Sequence, residues 1–207
     1  MTHLPLTRRH VLTTAAAGSA IVALPSFAQE TTRTVEEMVL GDPDAPVTVI
    51  EYASLTCPHC ARFHADVFGR IKTNYIETGK VRFILRDVYF DRYGLWGSMV
   101  ARCGGPERYF GIIDLLLSRQ AEWSRLSDPA EAIAAIYAIG RQAGMTNEQM
   151  DACVQDQAWA EALVAEYQKN QEADQIQGTP TFLINGQKES NMSYRDFAAK
   201  LDEALGS

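Results

Sequence analysis

Val47-Thr48-Val49-Ile50-Glu51-Tyr52-Ala53, followed three residues later by Cys57-Pro58-His59-Cys60, is the stretch that decides the fold of this chain. The first part is a near-continuous apolar run, as expected of a strand buried on both faces. From Cys60 onward the apolar period becomes that of a helix. Cys60, His64, Val67, Phe68, Ile71 and Tyr75 fall on one stripe, and Gly79 ends it. Val81 to Arg86 then reads as a second strand. A strand, a helix and a strand in this order favour a parallel pair, because parallel strands need a long crossover.

Downstream lies a long helical region. Trp96, Met99, Val100 and Cys103 share one face, and Tyr109, Ile112, Ile113 and Leu116 share another. Asp128-Pro129 starts a further helix with Pro at the first helical position. Thr146 and Gln149 have the spacing of a capping box ahead of Met150 and Cys153. Trp159, Leu163 and Tyr167 continue at four-residue steps. Strand character returns at Gly178-Thr179-Pro180-Thr181-Phe182-Leu183-Ile184. Asn185-Gly186 follows as a hairpin signal. A last helix runs from about Ser193, with Tyr194, Phe197, Ala198, Leu201 and Leu205 on its buried face. The expected architecture is an α/β domain over residues 47–89 and 171–207, interrupted by an all-helical insertion over 90–170. Residues 29–46 form an arm with at most a short strand.

The 207 residues carry 19 Lys plus Arg and 26 Asp plus Glu, with 46% apolar and 22% charged side chains. That composition excludes disorder, collagen and a dense disulfide scaffold. A net charge of −7 argues against a nucleic-acid partner. Residues 1–28 hold only Arg8 and Arg9 as charges, then an apolar run from Val11 to Leu24, then Ser26-Phe27-Ala28. This is the pattern of a signal peptide cleaved after Ala28. Thr7-Arg8-Arg9-His10-Val11-Leu12 resembles the twin-arginine export signal, with Val11 where that motif prefers Phe; an ordinary Sec signal is the alternative. Removing residues 1–28 leaves 179 of the 207 residues, and the loss of Arg8 and Arg9 moves the net charge from −7 to −9. All four cysteines remain and face an oxidising compartment, the periplasm.

A C-x-x-C that closes a buried strand and opens a helix is a redox signal. Pro58 suits the first helical position, which puts Cys57 at the N-cap. Its sulfur then meets unpaired backbone N–H groups and the positive end of the helix dipole, and His59 can add charge. All favour thiolate over thiol. Cys60 begins the apolar stripe and is expected to be buried. Cys57 is therefore the expected exposed, attacking sulfur and Cys60 the resolving one. A stabilised thiolate is a good leaving group, which makes the disulfide oxidising. Two other readings exist. One is a static disulfide. The other is a metal site, since Cys57, Cys60 and His64 have C-x2-C-x3-H spacing.

Cys57-Pro58-His59-Cys60 after a strand, with Thr179-Pro180 far downstream and helices between, resembles the DsbA family of thiol:disulfide oxidoreductases. The likeness covers residues 40–205. It implies a thioredoxin fold with an inserted helical domain, and no cofactor. It implies that Pro180 is a cis-proline beside the redox pair, helping to bind extended substrate peptide, and that the Thr179 backbone can pair with substrate. It further implies reduced exported proteins as substrates and a DsbB-like membrane quinone reductase as reoxidant. Isomerases on this fold oligomerise through an N-terminal stalk. The arm ahead of Gly41 is short for one, so a monomeric oxidase is the expectation and an isomerase or reductase the rival.

Glu51 stands out in an otherwise apolar strand, six residues before Cys57. Burying a carboxyl is costly and calls for a reason. Proton transfer or electrostatic tuning at Cys60 supplies one, and the resemblance supports it; the alternative is a partly exposed strand face. His64 reads as a hydrogen-bonded core histidine. Cys103 and Cys153 lie on apolar helical faces. Two free thiols are unusual in an exported protein, so a structural disulfide is expected. The alternative is two thiols packed as small hydrophobes. Trp96, Trp123 and Trp159 are assigned to core packing.

Overall fold

The computed structural model describes residue 2 and residues 33–206. The expected signal segment, residues 1–28, lies outside the described residues apart from Thr2. Among the described residues, five strands form one sheet in the order β1-β3-β2-β4-β5. They are β1 (Met38–Leu40), β2 (Val47–Ala53), β3 (Val81–Asp87), β4 (Thr181–Ile184) and β5 (Gln187–Ser190). β2 is central. It pairs parallel with β3 and antiparallel with β4. That position explains its near-continuous apolar run, because both faces are covered. Val47, Val49 and Ala53 enter the larger core, while Tyr52 joins Val88, Ile176 and Leu183 on the opposite face. The sheet edges are blunt. β1 is three residues long, and β5 is the polar Gln-Lys-Glu-Ser.

The chain leaves β2 and enters α1 (Pro58–Phe63). Helical structure runs on unbroken through a π-helical stretch (His64–Phe68), α2 (Gly69–Ile71) and a second π-helical stretch (Lys72–Ile76). Of the expected stripe, Cys60, Val67, Phe68, Ile71 and Tyr75 are buried and His64 is partly so; Phe63, outside that stripe, is buried with them. Gly79 follows at φ +72°, a conformation that side-chain-bearing residues rarely adopt, and the chain turns into β3.

Between β3 and β4 come α3 (Arg92–Cys103), α4 (Pro106–Ser118), α5 (Gln120–Trp123), α6 (Pro129–Gln142), α7 (Asn147–Val154) and α8 (Gln157–Ala173). Their starts follow local chemistry. The Asp91 carboxylate accepts the Tyr93 and Gly94 N–H groups, and Asp128 accepts that of Ala130. Thr146 and Gln149 form the full capping box. Trp123 is fully buried and donates its indole N–H to the Leu116 carbonyl at 2.9 Å. Trp96 and Trp159 are only partly buried. An ion pair of Arg102 with Asp87, 2.9 Å, ties α3 to the end of β3.

After β4, Asn185 and Gly186 both take positive φ, the geometry of a two-residue hairpin turn. Ser193 caps α9 (Tyr194–Leu205), whose Phe197 packs against Phe63 and Phe182 and whose Leu201 is buried in the same core. Among the described residues no helix is long and apolar enough to cross a membrane.

Cys103, at the end of α3, is bonded to Cys153 in α7, with Cα atoms 6.2 Å apart and a sequence separation of 50. Closing a loop of that length constrains the unfolded chain by about 4 kcal/mol. The Cys103→Ala/Cys153→Ala double variant is expected to lose about 4 kcal/mol of unfolding free energy and so to unfold at a lower urea concentration. An unchanged midpoint would show that the bridge contributes nothing to the fold.

Candidate active site

β2 delivers the chain to the site through Ser54-Leu55-Thr56. The turn is closed by the Cys57 N–H donating to the Ser54 carbonyl at 3.1 Å. Cys57 has extended backbone angles and caps α1, with Pro58 at the first helical position. Its own carbonyl accepts the Ala61 N–H and, at 3.0 Å, the Gln120 side-chain amide. Gln120 is buried, and the same nitrogen donates to the Leu55 carbonyl at 2.7 Å. One side chain from α5 thus holds both ends of the redox turn. Thr56 is tied to Asp91, the cap of α3, by a hydroxyl-to-carboxylate bond of 2.6 Å.

Across the turn lies Thr179-Pro180, joined by a cis peptide bond. Pro180 is buried. The Cys57 thiol reaches the Thr179 carbonyl at 3.5 Å. Pro58 and His59 are exposed at the rim. Both redox sulfurs are free thiols here and both residues are buried, Cys57 at 6% exposure and Cys60 at 0%. This corrects the expectation of an exposed Cys57. The Thr179-Pro180 loop packs over it, so only a small area of Cys57 meets solvent.

The two sulfurs differ strongly in acidity. Cys57 is lowered from 9 to about 5. The largest cause is a hydrogen bond from the Cys60 thiol. Burial opposes it, and Thr179 and the backbone N–H groups of Cys60 and His59 add to it. His59 thus contributes through its backbone. Cys60 is driven far above the ordinary thiol range, first by its hydrogen bond to Cys57, then by burial and the Glu51 charge. The helix start, foreseen as the source of the asymmetry, supplies a smaller part than the partner thiol does.

Glu51 is wholly buried on the β2 face that carries Val49 and Ala53. Its Oε2 lies 3.0 Å from His64 Nε2. His64 Nδ1 lies 3.5 Å from Asp114 Oδ1 on α4. Burial alone would lower the imidazole. The Glu51 charge, with the nearby Asp114 carboxylate and the hydrogen bond to Glu51, outweighs it and raises His64 from 6.5 to about 9. His64 therefore faces carboxylates on both sides as a cation. It is hydrogen-bonded in the core, as expected of it, but its partner is the very acid singled out in β2. Its Nε2 is turned to Glu51 rather than to the sulfurs, and among the described residues no three His, Cys, Asp or Glu side chains are grouped to hold a metal ion. Sequence reasoning missed Gln120 and Asp114. His64 was within reach, since it lies one helical turn beyond Cys60.

The family model Thioredoxin_4, described as Thioredoxin, matches residues 33–203. The chain belongs to the thioredoxin family. Its relatives within that family bear names of disulfide chemistry. A Rickettsia bellii protein named "Putative protein-disulfide oxidoreductase" is 34% identical over 170 residues, which is 82% of this chain and 64% of the relative. The chain thus spans just under two thirds of that protein's length. "Disulfide bond formation protein D" of Bacillus subtilis is 26% identical over 165 residues, 76% of this chain and 72% of the relative. The crystal structure of Wolbachia pipientis alpha-DsbA1 superposes with a TM-score of 0.77 at 27% identity, covering 90% of this chain and 94% of that one. The thioredoxin fold with a helical insertion, as in DsbA proteins, is therefore the fold of this chain.

The acidity of Cys57 makes a measurable pH signature. Alkylation of the reduced protein by iodoacetamide should occur at Cys57 alone, with a rate midpoint near pH 5. Because the folded value lies below the unfolded one, the thiolate stabilises the reduced fold fully above pH 9. That stabilisation declines as pH falls and is gone below about 5. Urea unfolding of the reduced protein between pH 9 and 5, taken as the difference from the Cys57→Ser variant, reads the slope, because the raised His64 contributes one of opposite sign between 6.5 and about 9. A midpoint of alkylation near 9 contradicts the thiolate assignment.

Proposed function

We propose that this protein is an exported dithiol oxidase that donates a Cys57–Cys60 disulfide to reduced, folding secreted proteins. One observation carries the reading, the unequal acidity of the two sulfurs. A thiolate held at about 5 is a stable leaving group, so the reduced pair is favoured and its disulfide oxidises other thiols. The names borne by the relatives agree with disulfide chemistry.

In the forward reaction a substrate thiolate attacks Cys57 Sγ of the disulfide. The S–S bond breaks, and Cys60 leaves and takes up a proton. The substrate's second thiolate then attacks its own sulfur in the mixed disulfide and releases Cys57 as a thiolate. Two electrons pass from substrate to protein. Thr179, whose carbonyl lies 3.5 Å from Cys57 Sγ, and the buried Pro180 beside it flank the substrate chain at the attacked sulfur. Pro58 and His59 form the opposite rim. Glu51 exchanges the proton with Cys60, and the Cys103–Cys153 bridge is structural. A DsbB-like membrane quinone reductase restores the disulfide. The signal pattern in residues 1–28 supports a periplasmic location, reached as a monomer after cleavage at Ala28.

The deciding measurement is the equilibrium potential of the Cys57–Cys60 pair in glutathione buffers, with Cys103 and Cys153 intact. The expected value is near about −120 mV, that of a strongly oxidising DsbA. A value near about −270 mV, that of thioredoxin, overturns the oxidase reading in favour of a reductase or isomerase. Cys57→Ser is expected to abolish oxidation of a reduced model substrate.

A further inference from the structure

Glu51, His64 and Asp114 form a line that runs from the sealed core to solvent. Their side-chain exposures rise in order, 0%, 5% and 45%. Glu51 is close enough for its charge to act on Cys60. Its Oε2 is occupied by His64, while Oε1 is buried with no hydrogen-bond partner among the described residues; His64 Nδ1 likewise makes no hydrogen bond there and meets Asp114 as an ion pair at 3.5 Å. The line ends in a groove of about 540 Å³ between the helix that carries the redox pair and α4, lined among others by His64, Phe68, Lys72, Asp114 and Ser118. This groove includes neither redox cysteine nor the Thr179-Pro180 loop in its lining.

We propose that His64 and Asp114 act as positioning residues that open a proton path between Cys60 and this groove, separate from the face where substrate meets Cys57. The inference rests on the thiol–disulfide exchange reading above. It holds for either direction of exchange, so the value of the potential does not decide it. When Cys60 attacks a mixed disulfide at Cys57, its S–H bond breaks and the proton passes by way of a bridging water to Glu51 Oε1, which makes no direct hydrogen bond to the sulfur. The His64 imidazolium gives up its Nδ1 proton toward Asp114 and the solvent of the groove. A carboxylate and an imidazolium become a neutral acid and a neutral imidazole, and one proton has left the site. When substrate attacks the disulfide and Cys60 departs as a thiolate, the same path runs inward. A bound client covers Cys57, so a path on another face keeps proton exchange open while the mixed disulfide exists.

The charged groups facing His64 are Glu51 from β2 and Asp114 from α4, with Phe63 and Phe68 packed on the ring. Lys72 lines the same groove and is paired with Glu77 at 3.7 Å. The ring is held cationic up to about 9, so its contribution should fade above that pH.

The test is stopped-flow reaction of the reduced full chain with oxidised glutathione, following the step in which Cys60 displaces glutathione from Cys57. His64→Gln keeps a hydrogen-bond donor but cannot shuttle a proton. It is expected to slow that step by roughly 10²-fold, the low end of general acid–base effects, and to remove the inflection near pH 9. Iodoacetamide alkylation of Cys57 should keep its wild-type midpoint. Asp114→Asn, on an exposed side chain, should slow the same step less, and Asp114→Glu should restore it. Wild-type displacement rates and pH profile in both His64→Gln and Asp114→Asn overturn the proposal. Should His64→Gln fail to fold, unaltered displacement in Asp114→Asn overturns it alone.

Discussion

Two sulfurs three residues apart share one proton unequally, and the C-x-x-C end of the molecule is organised around that inequality. The Cys60 thiol donates to Cys57 and stabilises its thiolate more than any other group does. For this to hold, Cys60 must be dry and Cys57 must keep a way out. The helix start provides the first condition by turning Cys60 into the core at 0% exposure. The Thr179-Pro180 loop sets the second, by covering Cys57 and leaving 6% of it open. Backbone N–H groups at the N-terminus of α1 add to the effect, as the helix dipole requires.

A buried carboxylate beneath such a pair needs a counter-charge. Removing two ions from water costs more than their attraction returns unless the geometry is good. Glu51 and His64 meet at 3.0 Å within an aromatic shell, and Asp114 completes the imidazole's second side. An apolar pair would fill this space without that cost. The retention of ionisable groups here fits a site through which protons pass.

The inserted helices are mechanically joined to the redox turn. Gln120 holds the Leu55 and Cys57 carbonyls, and Asp91 both caps α3 and accepts from Thr56. Gly97 lets α3 approach so closely that a Cβ there would stand 3.0 Å from Leu55. The helical segment thus meets the turn that carries Cys57 through a few short polar bonds. The Cys103–Cys153 bridge lies within this segment, between α3 and α7.

The local features of this protein could be read from the chain because they arise from neighbours in sequence. The apolar run of β2, the stripe beyond Cys60, the capping box at Thr146 and the Asn185-Gly186 turn each follow from side-chain periodicity or backbone preference within a few residues. So did the order of strand, redox pair and helix, and the placing of Cys57 at an N-cap. The partners across long sequence separations were a different matter. Gln120 meets Cys57 from 63 residues away, and Asp114 reaches His64 from an inserted helix far along the chain. The near-sealing of Cys57 depends on where a loop 122 residues downstream comes to rest. Periodicity says which face of an element is buried, but not which residue of another element lies opposite. That is set by sheet register, helix packing and the path of the loops. The dominance of the Cys60 thiol over the helix dipole likewise emerged only once the sulfurs had positions, since a hydrogen bond depends on distance and angle and a sequence specifies neither.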